Sequence, residues 1–480
     1  MKNKQQKFIN IAWHVMPILG LILWGMLTCS RNLWYDELYS AALISNGWWD
    51  MLRITAVDAH SPFYYVGLRI FSGLFGNSIV SMKIFSLCFM VGYLLIGKYW
   101  VNRLFDKQVS VWFMFTSITM PIMSVQAGNV RMYALALFCM TVTGLMAYEL
   151  YLEAKPWKWV VFCLAGTGSV YCHTFAMLQT LCIFIIFFVA LLVSKQYRKV
   201  KSFLLSGIVL SILYSPWLWV TYRQMQIRLE ENGGAAADAS RPTMYTFIDY
   251  CAEWFSALET PIPVVIFGGM ALAVVLGYLA MDYMRGHKNY VAGLGVLAIG
   301  VTALVGVLLS VYVNPCFLGR YVFPGFGAVA LLYAVGMSQV KNGKLRTTLV
   351  VCMILLFAMQ YQSELALEYD DGLQTYEEFV EENIAPEDAV IASQMHSSML
   401  SVYHPERNFY INGWKLNKNP FSNTQSFTEW SQLQDVSGDI WYIGFAGETP
   451  AGYEAYCTYE KTLEFHYMYY DFVIWRLEPR

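Results

Sequence analysis

Apolar runs of about twenty residues recur along this chain, and they constrain its fold more than any other feature. A helix rises ~1.5 Å per residue, so each run suffices to cross ~30 Å of hydrocarbon. The first run, 8–28, follows Lys2, Lys4 and Lys7 and lacks a convincing small-residue cleavage site, so it reads as a retained span. Further candidate spans lie at 79–101, 109–126, 131–153, 157–175, 177–195, 203–222, 261–281, 290–313, 319–338 and 345–361, which makes about 11. Composition agrees: the 480 residues are 57% hydrophobic and 14% charged. Soluble domains run at about 45–50% apolar and about 25% charged. One water-soluble core and intrinsic disorder are both excluded. A net charge of −2 leaves no basic footprint, so no nucleic-acid partner is expected. The 10 Cys show neither a CxxC nor another metal-ligand spacing. No internal repeat is visible, so the inverted-repeat signature of many transporters is missing.

Charge divides the chain. Residues 1–361 hold 26 Lys+Arg and 14 Asp+Glu, while 362–480 hold 6 and 20. The expected organisation is therefore a membrane body, 1–361, and an acidic water-soluble domain, 362–480. With the N-terminus cytoplasmic, the inner loops collect Lys98, Arg103, Lys107, Lys155, Lys158, Lys195, Arg198, Lys199, Lys201, Arg285, Lys288, Lys341, Lys344 and Arg346. With the three N-terminal lysines these are 17 of the body's 26 cations, the pattern expected of cytoplasmic loops. An odd number of spans then puts the tail on the extracytoplasmic side. The segment 61–76 is short and carries Arg69, so it reads as an interfacial or re-entrant helix. The outer features are a first loop at about 29–78, a second at about 223–260 with Gly233 and Gly234, and the tail. In the tail, 375–383 reads as helix and 389–393, 440–444 and 472–477 as extended, a small α/β domain. The expected fold class is thus an all-α polytopic body with a small extracytoplasmic α/β C-terminal domain.

Ionisable groups at membrane depth are costly, so those near the outer helix ends are candidates for chemistry. Asp36 and Glu37 follow the first span; they can supply a general base and a hydrogen-bond or metal partner, or simply fill the first turn of a helix. Asp58 and His60 sit at the mouth of a helix opened by Ser61 and Pro62. Phe63, Tyr64 and Tyr65 after them fit an interfacial aromatic belt. Arg131, followed by Tyr133, lies in a very short outer connection, where a guanidinium fork matches phosphate oxygens or snorkels to headgroups. His173 ends its span, and a lone His in an apolar run is more often packed than ligating. Arg320 and Tyr321 precede Pro324 at another outer helix end. All five groups fall on one face under a topology set independently by the lysines. An acid, histidines and two guanidiniums on one outward face fit transfer from an anionic lipid carrier. A retaining glycosidase needs carboxylates ~5–5.5 Å apart across a sugar, whereas adjacent Asp36 and Glu37 diverge on a helix. The alternative is a transporter or lipid-binding membrane protein with an external binding domain. Such a protein would spread charges through the bilayer midplane, where this chain has few.

At these residues the chain resembles the polytopic GT-C glycosyltransferases, and above all the family 39 type that includes protein O-mannosyltransferases and bacterial relatives. Aminoarabinose transferases that modify lipid A look like more distant kin. Asp36-Glu37 matches the family's Asp-Glu pair in the first outer loop. His60-Ser61-Pro62 matches its His-Pro-Pro segment, with Ser61 in place of the first proline. Arg131-Met132-Tyr133-Ala134-Leu135 matches Arg-x-Tyr-Ala-Leu. Tyr171 to Ala176 matches Tyr-x-His-x-Phe-Ala, and Arg320 to Pro324 matches Arg-Tyr-x-x-Pro. The likeness covers roughly residues 8–340. It implies sugar transfer from a polyprenyl-phosphate donor to an acceptor hydroxyl at the outer membrane face, usually with inversion. Asp36 would be the base, with Glu37 beside it. Arg131, Arg320 and Tyr321 would hold the donor phosphate. Asp58, His60, Tyr64, Tyr133 and His173 would position substrate. A divalent cation is compatible with the resemblance and is not required by it. The acceptor classes it leaves open are a glycolipid, a protein and a wall polymer.

Overall fold

The computed structural model describes residues 2–58, 60–230, 246, 290–313, 315–412, 419–433, 436 and 438–480. The expected span 261–281 and most of the expected second outer loop, with Gly233 and Gly234, lie outside them. The chain divides into two compact units. The first comprises Met1–Cys29, Ala59–Tyr64 and Lys83–Glu364, the second Ser30–Asp58, Tyr65–Met82 and Leu365–Arg480.

The first unit is helical. Along the chain run α1 (Lys2–Thr28), then α2 (Tyr35–Ser45), α3 (Trp48–Val57) and α4 (Pro62–Phe75) of the first loop, which belong to the second unit apart from the start of α4, and α5 (Ile79–Leu95). They are followed by α6 (Lys107–Thr119), α7 (Pro121–Val125), α8 (Tyr133–Leu152), α9 (Pro156–Cys172), α10 (Thr174–Val193) and α11 (Tyr197–Glu230). After the undescribed stretch come α12 (Tyr290–Tyr312), α13 (Phe326–Gln339) and α14 (Gly343–Glu368). Among the described residues, 8 helices are long and apolar enough to cross a membrane. Two expected spans are not among them. The run 109–126 is broken because Pro121 disfavours helical backbone at the preceding residue. Met120 accordingly turns extended at φ −77° and ψ 117°, ending α6 after 13 residues. The other, α9, has 17 residues. At 14 residues α4 is too short to span ~30 Å, as its sequence implied.

Trp24, Tyr93, Phe113, Met123, Tyr133 and Phe323 meet in the main core of this unit, all buried. Gly327 on α13 faces Thr141 on α8 so closely that a Cβ there would overlap the threonine hydroxyl. A second feature organises the helix ends rich in Lys and Arg. The buried carboxylate of Glu149 accepts from Trp100 Nε1 at 2.7 Å. It also pairs with Arg103 and lies 3.2 Å from Lys158 Nζ. Lys199 Nζ donates to the Leu150 and Tyr151 carbonyls at 2.8 and 2.7 Å, satisfying acceptors that the end of α8 leaves open.

The second unit is α/β. Its tail holds α15 (Gly372–Asn383) and strands β1 (Ala389–Ala392), β2 (Phe409–Asn412), β3 (Thr424–Phe427), β4 (Ile440–Phe445), β5 (Cys457–Tyr467) and β6 (Tyr470–Pro479). They form one sheet in the order β3-β2-β1-β4-β6-β5. β1, β2, β3 and β4 run parallel, and β6 is antiparallel to both β4 and β5. The expected extended pieces are β1, β4 and β6. β2 and β3 have four residues each, and β5 shows mixed burial, so none of the three carries a clear alternation.

The first loop packs with this tail. Tyr467 donates its hydroxyl proton to the Leu33 carbonyl at 2.6 Å and accepts from the Leu33 N–H at 3.1 Å. Tyr403 Oη lies 2.8 Å from Tyr467 Oη. Burial pushes both phenols well above their ordinary pKa, so both stay protonated. Arg31 pairs with Glu377 at 2.7 Å, Asn32 donates to the Asp370 carbonyl at 2.8 Å, and Asn46 donates to the Pro420 carbonyl at 2.6 Å. Arg69 donates to the carbonyls of Ile44 and Asn46 and covers the Trp48 ring, fixing the end of α2.

Tyr467→Phe strands both backbone groups of buried Leu33. It should destabilise the second unit by about 1–3 kcal/mol, read as a lowered denaturant midpoint or earlier protection loss around residues 30–35 in hydrogen exchange. His466, hydrogen-bonded to Asp471 at 2.8 Å, has its pKa raised by that contact. A raised folded-state pKa stabilises below the unfolded value of about 6.5 and is lost as pH rises through the folded value. Both side chains are more than half exposed, so the effect on stability should stay below about 1 kcal/mol. NMR titration should place His466 above its ordinary value, and Asp471→Asn should bring it down.

Candidate active site

Of the residues singled out in the sequence, His60, Tyr64, Arg131, Tyr133, His173, Arg320 and Tyr321 belong to the helical unit, while Asp36, Glu37 and Asp58 belong to the α/β unit.

In the helical unit, Arg131 precedes α8 and is only 4% exposed. Its Nη2 lies 2.9 Å from His60 Nε2. A guanidinium can only donate, so His60 accepts through Nε2, and its ring proton sits on Nδ1. Gln224 of α11 donates to the His60 carbonyl at 3.2 Å. The turn before Arg131 is fixed in the same way. Tyr64 Oη lies 3.0 Å from Ser86 Oγ, and Ser86 donates to the Asn129 carbonyl at 2.7 Å. The Arg131 N–H donates to that carbonyl as well, at 2.7 Å. Ser86 has thus spent its proton, so Tyr64 is the donor to it.

His173 caps α10. Its Nδ1 accepts from the Phe175 N–H at 3.1 Å, which puts the ring proton on Nε2. The imidazole packs 5.8 Å from the Tyr133 ring and 4.9 Å from the Tyr321 ring. His60, Arg131 and Arg320 all lie near enough to act on it electrostatically. Arg320 opens a 3-10 segment, Gly319–Gly325, and its guanidinium stands 6.0 Å from the Tyr321 ring centre. Gln179 of α10 holds that segment by donating to the Val322 carbonyl at 3.0 Å. Both imidazoles are therefore neutral hydrogen-bonding groups, and positive charge is carried by guanidiniums at two helix ends. An apolar cavity of about 570 Å³ is lined by Met140, Gln179, Ala298, Pro324 and Gly325 among others.

Lys83 is not among the cations that the lysine-rich loops collect. It is completely buried on α5, one turn before Ser86, and so shares that serine's helix face. A lysine inside the apolar run 79–101 was the available signal. Gln224 and Gln179 carried none, since a lone glutamine in a span has no fixed meaning.

In the α/β unit, Asp36 and Glu37 fill the first turn of α2. Glu37, 2% exposed, accepts from the Trp34 N–H at 3.2 Å and so closes the helix start. Asp36 stays half-exposed, and its carbonyl accepts from Ser40 at 3.1 Å. The two carboxylates are therefore distinct in environment: one is a buried helix cap, the other reaches solvent. Asp58 ends α3, its N–H donating to the Ile54 carbonyl at 3.0 Å. Among the described residues no group of three or more His, Cys, Asp and Glu could hold a metal ion.

The chain is similar to the crystal structure of ArnT from Cupriavidus metallidurans in the apo state, with a TM-score of 0.64 over 97% of this chain and 98% of that one, at 13% identity. The same protein bound to undecaprenyl phosphate superposes with a TM-score of 0.62, also at 13% identity and with the same coverage. The chain has the ArnT fold. The GT-C-like architecture with a small C-terminal α/β domain is thereby shown; at this identity the likeness reaches no further than the fold and does not single out the family 39 type. No family model and no curated protein sequence matches the chain.

Tyr64→Phe removes the proton donated to Ser86 and leaves a buried acceptor short of a partner. It should cost about 1 kcal/mol in stability, measured as a lowered melting midpoint, while Ser86→Ala, which also removes one of the two donors to the Asn129 carbonyl, should cost more.

Proposed function

We propose that the protein is a membrane glycosyltransferase that moves a sugar from a polyprenyl-phosphate donor to an acceptor hydroxyl. The observation that carries this reading is the gathering of His60, Arg131, His173 and Arg320 in a chain with the fold of ArnT, a protein also seen bound to undecaprenyl phosphate. Guanidiniums present planar forks that match phosphate oxygens, and neutral imidazoles between them orient a ligand without adding charge. The apolar cavity of the helical unit, which Pro324 and Gly325 help to line, suits a prenyl chain, which needs no polar partners.

In this reading Asp36 takes the proton of the acceptor hydroxyl. The freed oxygen attacks the anomeric carbon from the face opposite the carrier, and the bond from that carbon to the phosphate oxygen breaks with inversion. Polyprenyl phosphate departs with the electron pair. Arg131 and Arg320, with Tyr321 beside them, hold the donor phosphate and stabilise the charge that grows on it. Tyr64 and Tyr133 keep their neighbours in place, Asp58 helps to seat substrate, and Glu37 holds the helix start that presents Asp36. Lys83 adds a second kind of cation to the helical unit. The motif order from Asp36-Glu37 to Arg320-Tyr321 supports the family 39 type within the GT-C fold. The lysine-rich loops support a cytoplasmic N-terminus and an extracytoplasmic α/β unit.

Two measurements test this. Native mass spectrometry of lipids co-purified in mild detergent should find a polyprenyl-phosphate sugar. With that donor, Asp36→Asn should lower kcat by about 10²–10⁴-fold, the usual contribution of a general base, while leaving donor affinity in place. Arg131→Ala and Arg320→Ala should instead weaken donor binding as well as turnover. Full activity in Asp36→Asn removes the base from this mechanism. Solute or lipid translocation by reconstituted vesicles, with no sugar transfer, replaces the enzyme reading with a transporter.

A further inference from the structure

The sheet of the α/β unit has a topological switch. From β1 the chain steps to β2 and β3 on one side, then returns to β4 on the other. Open parallel sheets place ligands outside the carboxyl ends of the strands at such a point, because the two loops there diverge and leave a crevice. Here that switch point lies between the ends of β1 and β4.

Both ends are pinned. Glu448, after β4, accepts from Ser393 Oγ at 2.5 Å and from Gln394 Nε2 at 2.6 Å, both after β1. It also accepts from the Phe445 N–H at 3.0 Å. Above this latch stand aromatic rings from four parts of the unit. His396 follows β1, Phe445 ends β4, Tyr470 starts β6, and Tyr35 comes from the first turn of α2. Tyr35 and His396 are 4.4 Å apart, His396 and Tyr470 5.4 Å, His396 and Phe445 5.6 Å, and Phe445 and Tyr470 5.6 Å. Each of the four is half-exposed where a core ring would be covered. Met468, at φ 55°, makes the tight turn that brings Tyr470 to this edge.

We propose that these rings form the acceptor subsite and that it takes a pyranose ring. The face of an aromatic ring is electronegative, and a pyranose presents a face of weakly positive C–H groups with hydroxyls at its rim. A platform of half-exposed rings with phenol and imidazole edges satisfies both parts. The tail's 20 acidic residues against 6 basic ones disfavour an anionic ligand, so the sugar is uncharged or amino-substituted. Tyr35 and Asp36 share the first turn of α2, so the platform and the proposed base belong to one unit. The catalytic meaning of the subsite rests on the reading of Asp36 as base; the binding itself does not.

Saturation-transfer NMR on the full chain in nanodiscs, with chitobiose, cellobiose and maltotriose as probes, tests this without turnover. At least one probe should show saturated ring C–H signals. Tyr470→Ala and Phe445→Leu, the second of which keeps apolar bulk and so preserves folding, should each weaken binding by about tenfold, one aromatic contact's worth. Tyr470→Trp should retain it. No saturation for any probe overturns the proposal, as does binding that survives both Tyr470→Ala and Phe445→Leu. Failure of the transferase reading shows itself separately, as sugar binding by a wild-type protein that transfers nothing from a polyprenyl-phosphate donor.

Discussion

The α/β unit depends on one hydrogen-bonded pair. Tyr467 gives its proton to the Leu33 carbonyl and takes one from the Leu33 N–H, so a single side chain satisfies both backbone groups of a buried residue. Buried backbone groups left without partners are costly, and this loop has no ladder of its own to supply them at that point. The pair therefore decides where the first loop runs. Trp34, Tyr35, Asp36 and Glu37 follow Leu33 directly, and α2 starts at Tyr35. The position of Asp36 within its unit thus traces back to a phenol in the last hairpin of the chain.

The helical unit solves a different problem. Its helices satisfy their own backbones, and what remains is to place a few polar side chains among apolar ones. Several of those polar groups have a defined partner. Arg131 is tied to His60, the preceding turn to Ser86 and Tyr64, the Arg320 segment to Gln179. Such support matters for any site that handles a charged ligand, because a guanidinium free to rotate would lose the geometry that makes it selective. The Lys- and Arg-rich helix ends are treated alike, with Glu149 gathering Trp100, Arg103 and Lys158.

Adjacent Asp36 and Glu37 illustrate how environment separates like groups. In sequence they are interchangeable acids. In the fold Glu37 turns back to close the helix and is buried, while Asp36 keeps contact with solvent. Helix geometry alone predicts that neighbours diverge. Which of the two would be covered depended on the packing of residues from the tail, with Tyr403 and Tyr467 close enough for Glu37's charge to act on both.

The sequence by itself determined the membrane-spanning architecture, since hydropathy over twenty residues is a local property that needs no partner to be read. It also showed the acidic α/β tail and the short α4, for the same reason. It did not show that Pro121 divides 109–126 into two helices, and it passed over β2, β3 and β5, which are too short or too irregular to carry a period. Tertiary structure alone decided the rest. His60 and Arg131 are 71 residues apart and Leu33 and Tyr467 are 434 apart. No pattern in a single chain announces such pairs, because they arise only when separate elements compete to satisfy the same buried polar groups.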